Sequence, residues 1–170
     1  MNTVKVTITE RIPFATWCDA SGEGLCYHTD ETGFIFEEAS GAYVYPALRG
    51  GVTEGQSIGA YVLPGIFNRL RGFVVAFRDI EMQSDAISIS DDGVDMRMSF
   101  ENNPDIIVLL DDDPVRVAQT IHTARTAAPV KEKYASLEYI DARFGNRLYY
   151  KSRAADEPTD EEESEQETLQ

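Results

Sequence analysis

The chain has no apolar run near the ~18 residues of a membrane span. Its first residues also lack the basic, apolar and small-residue succession of a secretory signal. Basic charge is scarce: 15 Lys and Arg stand against 30 Asp and Glu, a net charge of −15. Such a balance argues against nucleic acid or an anionic membrane surface as partner, because phosphate recognition needs a basic patch. Catalytic signatures are missing as well. There is no glycine-rich phosphate loop, nucleophile elbow or metal-ligand spacing. Only two histidines occur, and His122 sits inside a helical pattern with no acid–base partner at a useful spacing. Asp111, Asp112 and Asp113 are suited by type to a divalent cation. They stand where a helix begins, however, and there the open N–H groups and the dipole stabilise acids without a metal. No catalytic, cofactor-binding or metal residue is assigned, and the chain is read as not an enzyme, with no cofactor.

Cysteine is also rare. Cys18 and Cys26 flank Asp-Ala-Ser-Gly-Glu-Gly-Leu. With Gly22 at a hairpin tip they oppose each other across two strands, at a spacing compatible with a disulfide. Two buried thiols are the alternative. A metal site lacks ligands, since only His28 lies near and tetrahedral zinc needs four. A disulfide would put this region outside the cytosol.

What is present is a chain of 170 residues, 42% hydrophobic and 26% charged, enough for one good core or two small ones. Much of the acidity is local. Residues 154–170 hold eight acids and no base, and without them 22 acidic residues face 15 basic ones. That segment reads as a disordered, solubilising tail. At the other end, Val4-Lys5-Val6-Thr7-Ile8-Thr9 alternates like a strand already in progress, so a strand is expected over 4–17, ending around Pro13. A start in mid-sheet suggests that an upstream portion is missing.

Further strands are expected at 25–28 and 33–38 around Asp30-Glu31-Thr32-Gly33, with glycine-rich connection over 40–57. From Pro64, Ile66, Phe67, Leu70, Phe73, Val74 and Phe77 make an apolar stripe of helical period. Ala86–Ser90, Asp91-Asp92-Gly93 and Val94–Phe100 read as a hairpin. Ile106–Leu110 reads as a short apolar strand. A second helix runs from Pro114 to about Ala127, with Asp113 as N-cap and Val117, Ile121 and Ala124 facing inward. The last hairpin runs from Tyr134 to Lys151 and turns at Phe144-Gly145-Asn146. The expected class is α+β: a mainly antiparallel sheet with two amphipathic helices. Its final strand is rich in aromatics and has no structured sequence after it, so it leaves an edge that is either a liability or a docking site.

Four segments, in order, resemble the extracytoplasmic part of the bacterial cell-division protein FtsQ, called DivIB in Gram-positive organisms. Val6-Thr7-Ile8-Thr9-Glu10-Arg11-Ile12-Pro13-Phe14-Ala15-Thr16-Trp17 resembles the strand that closes that family's POTRA domain. Asp30-Glu31-Thr32-Gly33-Phe34-Ile35-Phe36 is similar to a family hairpin. Tyr45-Pro46-Ala47-Leu48-Arg49-Gly50 and Tyr139-Ile140-Asp141-Ala142-Arg143-Phe144 resemble two further family segments. The resemblance implies residues 1–17 as the last strand of a truncated POTRA-like domain, 18–151 as a β-domain and 152–170 as the tail. It implies a non-enzymatic divisome scaffold on the extracytoplasmic face of the bacterial inner membrane, anchored only through a segment absent from this chain. The implied partners are similar to FtsB and FtsL, bound by strand addition. Carried over, the partner-binding residues are Phe144, Gly145, Asn146, Arg147, Leu148, Tyr149, Tyr150 and Lys151. The second helix flanks them. Two other readings remain: a POTRA-like chaperone or protein-export module, and a small metal-dependent enzyme using Asp111 to Asp113. The cysteine pair and the acidic tail are not general features of the family.

Overall fold

A computed structural model describes residues 3–18, 25–40, 45–50, 57–128, 130–145 and 147–153. Within these, nine strands form one sheet: β1 (Ala15–Cys18), β2 (Cys26–Thr29), β3 (Ile35–Glu38), β4 (Ala47–Gly50), β5 (Ala86–Ile89), β6 (Asp95–Ser99), β7 (Asp105–Leu109), β8 (Leu137–Phe144) and β9 (Arg147–Ser152). Helix α1 (Phe67–Asp79) joins β4 to β5. Helix α2 (Pro114–Thr126), the short α3 (Val130–Lys133) and a 3₁₀ turn (Tyr134–Ser136) join β7 to β8. The strand order is β3-β2-β1-β4-β5-β6-β7-β8-β9. The fold is α+β.

The sheet is mostly antiparallel, but β1–β4, β4–β5 and β7–β8 are parallel. The expected mainly antiparallel sheet is thus what forms, with three parallel pairs that the sequence pattern did not single out. A tight turn joins only antiparallel strands, and a helix between two neighbouring strands returns the chain to the same end of the sheet. Helices α1 and α2 are two such crossovers.

Both helices form where the apolar period falls. Phe67, Leu70, Phe73, Ala76 and Phe77 are the buried side of α1. Val117, Ala118 and Ile121 are that of α2. These side chains make one core with Ile87, Ile89, Met96, Met98, Ile106, Val108 and Ile140 from the sheet. Helix α1 starts later than Pro64 suggests. Leu63 and Gly65 adopt positive φ around that proline, so the chain turns there and becomes helical only after Ile66. Helix α2 starts as expected: the Asp113 carboxylate accepts the N–H groups of Val115 and Arg116 at 2.9 and 3.1 Å, with Pro114 in the first turn.

The first expected strand shrinks the most. Residues 4–13 make no backbone pair among the described residues; Phe14 donates its N–H to Thr29 O, and the strand proper begins at Ala15. Trp17, which the resemblance assigns to the end of an upstream domain, pairs with Tyr27 of β2 and Leu48 of β4 inside the common sheet. Between β2 and β3 the Asp30 carboxylate accepts the Thr32 hydroxyl and the N–H groups of Thr32 and Phe34. Gly33 takes φ +83°, where an added Cβ would stand 2.8 Å from the Phe67 ring. The tip at Gly22 and the tail at 154–170 lie outside the described residues. Ser152, assigned to the tail by the expected boundary, closes β9.

Cys18 and Cys26 stand directly opposite in the β1–β2 ladder and are joined by a disulfide, with Cα atoms 4.2 Å apart. Closing a loop of this length removes denatured-state freedom equivalent to about 2.5 kcal/mol. Replacing both cysteines by alanine is expected to lower unfolding stability by about that amount in denaturant titration. Reductant should act on the wild type alone.

Candidate functional site

The two ends of the sheet differ. At the β3 end, Ile35 donates its N–H to Ala60 O and Gly59 donates to Ile35 O, both at 2.9 Å, while Phe34 bridges Tyr61. The chain itself covers the start of that edge, at Phe34 and Ile35. At the other end, β9 pairs with β8 on its inner side, and among the described residues no strand pairs with its outer side. A six-residue row of backbone donors and acceptors therefore faces outward by turns.

The expected partner residues divide between the two faces of this edge. Tyr150 is registered with Ile140 and Tyr149 with Asp141. Ile140 belongs to the core, so Tyr150 and Leu148 lie on the helix side and Tyr149 on the open side. Phe144 and Tyr149 are each 53% exposed, and their rings meet edge to face at 4.9 Å. Tyr150 is 43% exposed. Leu148 is half-buried against the core. Gly145 turns at φ +68°, and its carbonyl accepts Arg116 Nη1 at 3.1 Å, tying α2 to the turn. Asn146 lies outside the described residues. Arg147 and Lys151 are exposed, and Lys151 pairs with Glu138 at 2.7 Å across β8–β9. That shared hydrogen bond lowers the pKa of the Glu138 carboxyl and raises that of the Lys151 amine.

Helix α2 runs beside the edge. Between it and Leu148 lies an open groove of about 420 Å³, lined by Arg116, Gln119, Thr120, Thr123, Ala124 and Ala127. The sequence carries a signal for it, since Thr120, Thr123, Ala124 and Ala127 recur at steps of three, one and three along one helix face. Ala124 is half-buried at the groove rather than in the core as expected. Each of these side chains is short, which leaves room beside β9.

On the open face, Arg143 reaches Asp141 at 2.6 Å and also pairs with Asp95. Arg97 pairs with Asp105 at 2.7 Å and lies 5.8 Å from the centre of the Tyr139 ring. These pairs cross β6, β7 and β8 and stiffen the platform under β9. The three aspartates at the start of α2 serve separate partners: Asp111 pairs with Arg69, Asp112 with Arg116, and Asp113 caps the helix. Among the described residues, no group of three or more His, Cys, Asp or Glu is placed to hold a metal ion. No helix among them is long and apolar enough to cross a membrane.

The hydrogen bonds from Arg143 outweigh burial and hold the Asp141 carboxyl below its usual 3.8. In Asp30, burial raises the pKa, but the bonds from Thr32, Phe34 and Arg11 together more than reverse it. A carboxyl with a depressed folded pKa binds its proton more readily when unfolded. The stability it contributes is thus complete above the unfolded value near 4 and is lost as pH falls through the folded value. Stability measured by denaturant titration should decline below about pH 4. In Asp141→Asn it should start lower at neutral pH and decline less steeply with acid.

No protein-family model matches the chain, and no curated protein matches it.

Proposed function

We propose that this chain is a non-enzymatic scaffold module that binds a partner by strand addition to β9. In this reading it resembles the β-domain of the FtsQ/DivIB cell-division family and works on the extracytoplasmic side of the bacterial inner membrane. The partner is similar to FtsB, itself paired with one similar to FtsL. The observation that carries the proposal is the outer edge of β9, unpaired among the described residues and flanked by exposed Phe144, Tyr149 and Tyr150.

Three further observations support it. The groove beside α2 gives an incoming strand somewhere to seat alternate side chains, which is how added strands gain specificity beyond main-chain bonds. Aromatic side chains are common anchors at binding hot spots. The Cys18–Cys26 disulfide suits an oxidising compartment. The segments that carry the resemblance coincide with β1 and its lead-in, the β2–β3 turn, β4 and β8.

Proline lacks the N–H that a ladder needs. Arg153 donates its N–H inward to Ser136 O, and bonding sides alternate along β9, so the N–H groups of Leu148 and Tyr150 face outward. Tyr150→Pro is therefore expected to weaken binding of a partner strand peptide at least about tenfold in calorimetry, while the near-UV circular dichroism of the α1–sheet core persists. Unchanged affinity in a folded variant would contradict strand addition.

A further inference from the structure

Among the described residues, the N-terminal run is a second stretch whose backbone groups have no partner strand. Val4, Val6 and Ile8 are 84, 73 and 82% exposed. They alternate with Lys5, Thr7 and Thr9, so in extended conformation one face of the run is wholly apolar and the other polar. Among the described residues the first backbone hydrogen bond occurs only at Phe14, whose N–H donates to Thr29 O at 2.7 Å. An exposed β-branched run with free backbone groups is built to enter a sheet.

We propose that Val4–Thr9 donates a strand to the β9 edge of a second copy of this chain. The proposal rests on β9 being an acceptor edge, as above, and adds an occupant. Donor and acceptor match in length, residues 4–9 against Arg147–Ser152. They also match in pattern. With Val4, Val6 and Ile8 turned to the helix side, they continue the row of Leu148 and Tyr150. They then fill the groove lined by Thr120, Thr123, Ala124 and Ala127. Lys5 and Thr7 fall on the open side, beside Tyr149 and Lys151.

The run cannot serve its own edge. From β1, where Phe14 is tied down, β9 is six strands away in the sheet order, or roughly 29 Å at the usual strand spacing. The five residues 10–14 span at most about 17 Å fully extended. Arg11 also holds that lead toward the opposite edge, through its pair with Asp30 and its position 4.2 Å over the Phe34 ring. Donation is thus between copies, and because donor and acceptor are different surfaces, association is head to tail and continues into chains or rings.

Sedimentation velocity on the full chain over about 5 to 500 µM tests this, a range that covers weak strand-mediated contacts. The expected result is a mass that rises with concentration. Val6→Pro alters only the unpaired run, so folding is untouched, and it should weaken association on the order of tenfold. Mixing Val6→Pro, which keeps its acceptor edge, with Tyr150→Pro, which keeps its donor, should give a one-to-one dimer that grows no further. A wild type that stays monomeric, or a Val6→Pro chain that associates like wild type, overturns the proposal. So does self-association that survives Tyr150→Pro, since the run would then pair elsewhere. Val6→Pro should leave binding of an external partner peptide intact. If that peptide binds while self-association is absent, donation fails and the acceptor reading stands; if Tyr150→Pro fails to weaken peptide binding, the acceptor reading itself fails.

Discussion

The backbone of a strand carries hydrogen-bonding groups on both sides, and among the described residues every strand of this sheet except the last has both sides occupied or partly covered. That one asymmetry organises the molecule. The β7–α2–β8 crossover sets β8 parallel to β7 at the growing end of the sheet, and the hairpin at Gly145 then lays β9 outside it. Helix α2 lies over the helix side of this end. A helix packed on a face satisfies side chains and leaves the outward main chain bare.

Edge strands are normally blunted by charge, bulges or covering segments. Both edges here use such devices, to different degrees. Residues 59–62 bond to the start of β3 and its lead-in and cover that part of the edge. At β9, register shifts between Leu137 and Tyr139 and between Asp141 and Phe144 add local twist. Lys151 and Arg147 add charge. These measures discourage indiscriminate pairing yet leave the exposed rings of Tyr149, Tyr150 and Phe144 in place. The Arg143, Asp141 and Asp95 network keeps the strand beneath them rigid, so little ordering is needed when a strand arrives.

The sequence was most legible where turn chemistry and period agree. Asp92-Gly93 and the alternation around it fix the β5–β6 hairpin. Asp113-Pro114 fixes the start of α2, and Gly145 fixes the final turn. Pairing direction was less legible, because alternation says that a segment suits a strand and not which neighbour it takes. The parallel β1–β4 and β4–β5 pairs follow from the crossovers and from tertiary packing. For the same reason Val4–Thr9 looks like a strand in sequence yet has no partner among the described residues. Position within the site was partly readable. Tyr149 and Tyr150 must face opposite ways on any strand, whereas Arg116 meeting Gly145 and the groove beside Leu148 depend on how α2 settles on the sheet.

The central claim is that the outer backbone of β9 is free until another strand joins it. Hydrogen exchange followed by NMR, amide by amide over Arg147–Ser152, tests this most directly. The account predicts that alternate amides of β9 exchange quickly in the isolated monomer, while their inward-facing neighbours are protected by β8. The fast set should slow when a strand peptide binds. Protection of all β9 amides in the isolated monomer would mean that the edge is already occupied, and the account would be wrong.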